Sequence, residues 1–210
     1  MIAALFLTLL SVPGELDSIG SVMGGQQAAP FVAPGQLFQI GIPNGWQPYT
    51  VDKDPNAIQL RNVMRGDDAT LLIRKFVVPS EARPRQLVLN AIDQRLSKLP
   101  RFRVVQKRDI AIGGQPAASV IGTYAFQGNI QYPRVIENIF VVIGTEAYSL
   151  YFECFEPMAP QYANDLNFMY SSFTPRVAAS SANSSPFSVP DEGNSPGEQF
   201  KIPDPRDIPF

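Results

Sequence analysis

Phe38-Gln-Ile-Gly-Ile-Pro-Asn-Gly-Trp46 opens a frame that closes about 125 residues later on Ser172-Phe173. Over Leu37–Ile42 apolar side chains alternate with polar or small ones, the period of a strand with one buried face. Pro43-Asn-Gly45 then supplies a turn ahead of Trp46. At the closing end Tyr162, Leu166, Met169 and Phe173 fall on one helical stripe.

Between these ends, Ala57–Met64 and Ala69–Val78 predict a strand pair around Arg65-Gly-Asp-Asp68, where Arg-Gly-Asp reads as a turn before it reads as an adhesion motif. The period becomes helical from Pro84 to Leu99, with Leu89, Ile92, Leu96 and Leu99 on one stripe, Pro84 in the first turn and Pro100 as the stop. Four strands follow at Phe102–Ile112, Ala117–Phe126, Gln131–Ile143 and Glu146–Phe155. Their joints, Gly113-Gly-Gln-Pro116, Gly128-Asn129 and Gly144-Thr145, are short and tolerate positive φ, which favours an antiparallel meander. Helices flanking such a meander cover both faces of the sheet. The fold class is therefore α+β, a three-layer α/β/α sandwich on a mostly antiparallel sheet. Its expected core includes Trp46, Leu89, Ile92, Leu96, Phe152, Leu166 and Met169.

At 210 residues and 45% hydrophobic content the chain supports one sizeable core. Its apolar start, Met1–Leu10, has the length of a signal-peptide core, with Val12 and Gly14 as small residues before a cut at Glu15, although no Lys or Arg precedes it; a buried strand is the alternative. Residues 15–35 read as a linker, 36–174 as the folded domain and 175–210 as a Pro-rich disordered tail. Within the tail Phe187-Ser-Val-Pro-Asp191 recurs as Phe200-Lys-Ile-Pro-Asp204, and Ile208-Pro-Phe210 ends the chain, a pattern that resembles linear docking motifs as well as chance similarity in a drifting tail.

Histidine is absent, which removes the usual general base, the usual partner of a Ser or Cys nucleophile and the commonest transition-metal ligand. Acid pairs such as Asp52/Asp54 and Asp67-Asp68 sit in turn-like stretches. Carboxylate chemistry, which needs two acids aimed into one cleft, stays open as a rival. Cys154 alternates onto the face of Tyr148, Leu150 and Phe152 and reads as a small buried hydrophobe rather than a reactive thiol. No catalytic, metal or cofactor residue is assigned. Net charge is −2, unlike that of a nucleic-acid binder, but residues 61–108 hold twelve of the seventeen Lys and Arg against four acids. Arg61, Arg65, Arg74, Lys75, Arg101 and Arg103 are candidate partner-binding residues, together with Phe187, Phe200 and Phe210; the plainer reading of the cations is a set of solvated faces.

The Phe-x-Ile-x-Ile-Pro-x-Gly-Trp opening, the middle helix, the Ile112-Gly-Gly-Gln-Pro-Ala117 turn, the aromatic strand Tyr148–Phe155 and the helix ending Ser172-Phe173 resemble the PsbP-like superfamily over residues 38–173. That group includes the extrinsic luminal subunit of photosystem II, a Ran-binding import factor, DcrB-type envelope proteins and the Eag chaperones. The resemblance implies a three-layer sandwich and a non-enzymatic binding role, with a protein partner, a membrane complex among the candidates, and no nucleic acid, cofactor or small-molecule substrate. The histidines that bind metal in the photosynthetic members have no counterpart here. Export to the periplasm, thylakoid lumen or exterior is expected, with a cytoplasmic chaperone of apolar segments as the alternative. Intact mass of the protein from its native host should show a mature chain that begins at or after Glu15. A chain still starting at Met1 in a cytosolic fraction would favour the chaperone.

Overall fold

A glycine pair decides where the second half of this chain turns back on itself. Gly113 and Gly114 lie at φ +55° and +74°, the backbone twist that lets two residues join antiparallel strands. A Cβ on Gly113 would also come within 2.2 Å of the Phe173 carbonyl oxygen, so no other residue fits.

The computed structural model describes residues 30–64 and 69–175. In chain order its strands and helices are β1 (Phe31–Val32), β2 (Phe38–Ile40), β3 (Trp46–Val51), β4 (Asp54–Asn62), β5 (Thr70–Val77), α1 (Pro84–Gln94), β6 (Arg103–Ile112), β7 (Gln115–Ala125), β8 (Pro133–Ile143), β9 (Glu146–Phe155), α2 (Ala163–Ser172) and β10 (Thr174–Pro175). Two meanders, β3-β4-β5 and β6-β7-β8-β9, join through β5 and β9 into an antiparallel seven-stranded sheet of order β3-β4-β5-β9-β8-β7-β6. β2 pairs with β1 and β10 in a separate small sheet. β1 falls inside the stretch expected to be linker, where Phe31 pairs with Ile40 and Val32 with Gln39.

The two helices lie on opposite faces. Val88 and Ala91 of α1 pack on Ala118, Val120, Ile136 and Phe140, while Leu166, Met169 and Tyr170 of α2 pack on the alternate residues Ile121, Val135 and Ile139 and on Leu150, Phe152 and Cys154. This is the expected three-layer α/β/α sandwich. The opening segment belongs to the α2 layer. Phe38 and Ile40 are fully buried, the Phe38 ring lies 5.7 Å from that of Phe173, and the Trp46 ring meets Tyr162 edge-on at 5.7 Å. The Trp46 indole N–H donates to Asp165 Oδ2 at 3.0 Å, and the Gly41 N–H donates to Ser172 Oγ at 2.9 Å. Cys154 is buried, as its strand face requires.

Trp46–Val51, to which the sequence pattern assigns no element, is an edge strand, mostly exposed and carrying Pro48, so it shows neither a buried stripe nor a continuous donor row. One expectation needs correction. Leu89 is 37% exposed, and Val88 and Ala91 are buried in its place, with Ile92 half-buried. A stripe through Leu96 and Leu99 sets its phase on residues the helix does not contain, because α1 ends at Gln94 and Leu96–Lys98 forms a separate 3-10 turn. Trp46, Leu96, Phe152, Leu166 and Met169 are buried as expected.

Leu96→Ala should lower stability by about 2–5 kcal/mol, the range for truncating a large core side chain. Leu89→Ala should cost about 1 kcal/mol or less. Urea unfolding of both variants checks this, and equal losses would restore Leu89 to the core.

Candidate interaction surface

On each face of the sheet a glutamate is withdrawn from solvent and held by an arginine and tyrosine. On the α2 side Glu137 of β8, 1% exposed, accepts from Arg108 Nη2 at 2.9 Å and from the Tyr170 hydroxyl at 3.3 Å, while Arg108 Nε donates to Ser119 Oγ at 3.2 Å. Burial raises the Glu137 pKa above the usual glutamate value, opposed by Arg108 and by the Tyr170 hydrogen bond. Burial, reinforced by Glu137, also pushes the Tyr170 hydroxyl well above its ordinary value. This network lies against a cleft of about 430 Å³ between β6 and α2, lined also by Ile110, Gly113, Asn167 and Ser171. On the α1 side Glu153 of β9 accepts from Arg134 Nε at 3.0 Å, the Tyr124 hydroxyl at 2.5 Å and the Tyr151 hydroxyl at 3.0 Å.

Strand register keeps these two acids apart. Glu137 stands opposite Phe152, and Glu153 stands opposite Ile136, one position out of step. Successive residues of a strand point to opposite faces, so the sheet itself lies between the two carboxylates. They cannot flank one bond, as a carboxylate-pair mechanism requires.

α1 lies mainly over β7 and β8. Further along the same face, β3, β4 and β5 present Gln47, Tyr49, Gln59, Arg61, Leu72 and Arg74, of which Gln47, Tyr49 and Arg61 are exposed. The Arg61 guanidinium stacks over the Tyr49 ring at 5.1 Å and donates to Gln59 Oε1 at 2.7 and 2.9 Å. Arg74 pairs with Asp54 at 2.7 Å. Arg95, just past α1, interacts electrostatically with Tyr151 and Arg74, and burial holds its pKa below the ordinary guanidinium value.

The candidate cations therefore divide. Arg61 and Arg74 share this open face, whereas Lys75 points to the opposite one, paired with Glu146 at 2.7 Å. Arg101 and Arg103 lie at the far edge, beside and on β6, and both are exposed. Arg65, Phe187, Phe200 and Phe210 fall outside the described residues. The sequence pattern does not mark Tyr49, because it does not mark β3; an aromatic beside a proline in an edge strand is the signal it does carry.

No protein-family model and no curated protein matches the sequence. Among solved structures, the chain is similar to CyanoP, the PsbP of Synechocystis sp. PCC 6803, at 14% identity and TM-score 0.53 over 78% of this chain and 100% of that one. The chain has the PsbP-like fold. It is also similar to LpqN, involved in cell envelope biogenesis of Mycobacterium tuberculosis, at 17% identity and TM-score 0.52 over 72% of this chain and 86% of that one. A third similar structure is the Ran-binding protein Mog1p of Saccharomyces cerevisiae, at 9% identity and TM-score 0.51 over 70% of this chain and 94% of that one.

A glutamate whose pKa is raised by folding binds its proton more readily in the native state, so its contribution to stability is greatest below the unfolded value and falls as pH rises through the folded value. Wild type should therefore lose stability relative to Glu137→Gln as pH rises through that window, measured by urea unfolding at a series of pH values. A difference that grows in favour of wild type as pH rises would mean that attraction to Arg108 outweighs burial.

Proposed function

We propose that this PsbP-like domain is a non-enzymatic interaction module of an exported protein, which docks a protein partner of a membrane-associated or envelope complex through the uncovered half of its sheet. The observation that carries the reading is the Tyr49–Arg61 stack with Gln59 and Arg74 on the face that α1 leaves open. Tyrosine and arginine offer large contact area together with directed hydrogen bonds, the composition of energetic centres in interfaces. The roles of two structural neighbours, envelope biogenesis for LpqN and Ran binding for Mog1p, agree with a binding role. A chaperone of apolar segments would present an apolar groove, and this face is polar and basic. The Phe187 and Phe200 motifs are a second docking candidate within the same reading.

Full-length tagged protein from the native host, compared with a Tyr49→Ala/Arg61→Glu variant, tests the proposal. The variant should capture its principal partner about tenfold less well or worse, as loss of an interface centre implies, while keeping its melting temperature. Equal recovery of every partner would rule out this face.

A further inference from the structure

The β7–β8 connection carries an apolar tip remote from the open half-face. Phe126, Ile130 and Tyr132 are 39%, 63% and 57% exposed. They project from a loop whose backbone is internally bonded: Phe126 N–H donates to the Tyr132 carbonyl at 3.1 Å, Asn129 N–H to the Phe126 carbonyl at 2.9 Å and Tyr132 N–H to the Asn129 carbonyl at 3.1 Å. The tip is thus a formed feature. Arg134 lies over the Phe126 ring at 5.7 Å and holds it against the sheet.

Cations collar this tip. Ala125 N–H donates to the Pro100 carbonyl at 2.9 Å, which sets the exposed Arg101 beside Phe126, and Arg103 pairs with Thr123 at the start of β6. Of the cations in the acid-free segment 94–108, Arg95 and Arg108 are committed to the contacts described above, and Lys98, Arg101, Arg103 and Lys107 are exposed; 116–136 contains no acid either. Three apolar side chains are too few for a protein interface of ordinary size, which takes about 800 Å² from each partner. Aromatic and aliphatic side chains flanked by arginines instead match the headgroup region of a bilayer, where aromatic rings settle and anionic lipids attract cations.

We propose that the 126–132 tip, with Arg101 and Arg103, docks the domain onto an anionic lipid surface. This contact is at the opposite edge of the sheet from Tyr49 and Arg61, so either proposal can fail alone.

Flotation of the full chain with vesicles tests it. The protein should bind equimolar phosphatidylcholine–phosphatidylglycerol vesicles at low salt, leave phosphatidylcholine vesicles unbound, and be released at about 0.5 M salt, where surface charges are screened. Arg101→Gln with Arg103→Gln should weaken binding roughly fivefold per arginine removed. Ile130→Ser with Tyr132→Ser should abolish it without shifting the melting temperature. The Ile130→Trp variant should show a blue-shifted emission with anionic vesicles only. The proposal is overturned if the wild type ignores anionic vesicles, if the Ile130→Ser/Tyr132→Ser protein binds them equally, or if binding occurs to native membranes and not to protease-stripped membranes or pure lipid, which would make the tip a protein contact.

Discussion

The packing of the opening segment against the last helix is the constraint on which the α2 layer depends. Phe38 meets Phe173, Tyr148 meets Phe173 at 5.6 Å, and Trp46 meets both Tyr162 and, through its indole N–H, Asp165. Each aromatic contact contributes about 0.5–1.5 kcal/mol beyond its buried area. Their combined effect is topological as well. Residues more than a hundred positions apart are brought together on one face, and the Tyr148 hydroxyl adds a bond to the Leu37 carbonyl at 3.0 Å. Burial, with Glu146 nearby, raises that hydroxyl's pKa to about 12, so it stays a donor across the physiological range.

The same close approach explains the glycines in this layer. A Cβ on Gly41 would sit 2.6 Å from the Phe168 ring and 2.9 Å from Ser172 Oγ, so the absence of a side chain is what lets α2 reach the backbone and accept the Gly41 N–H. Gly113 plays the matching part at the end of the helix, beneath the Phe173 carbonyl. Backbone contact here replaces side-chain packing, and it fixes the chain where α2 gives way to β10.

The sheet divides the chemistry of the domain. Glu137 is satisfied by an arginine and one tyrosine hydroxyl and Glu153 by an arginine and two, which ties β6, β8 and α2 together on one side and β7, β8 and β9 on the other. A buried charge left without partners would cost several kcal/mol, so these networks hold the layers in one arrangement. The surfaces left over are the polar half-face of β3–β5 and the apolar tip of the β7–β8 loop. The half-face is left open because α1 is short and lies mainly over two of the seven strands.

Alternation and helical spacing, read along the chain, were enough for the strands from β6 to β9, for the buried face of β9 and for the stripe of α2, because each buries one regular face and periodicity reports that directly. The aromatic frame carried the fold class as well. The tertiary structure decided what periodicity cannot carry: the phase of α1, whose end at Gln94 excludes Leu96; the existence of β3, mostly exposed; and the splitting of the cations among an open face, an ion pair and a far edge. A local pattern records how much of a residue is buried against its own element's neighbours. Which strand lies beside which, and therefore which side chains share a surface, is set by the pairing of β5 with β9, a contact between segments about 70 to 80 residues apart that no local period encodes.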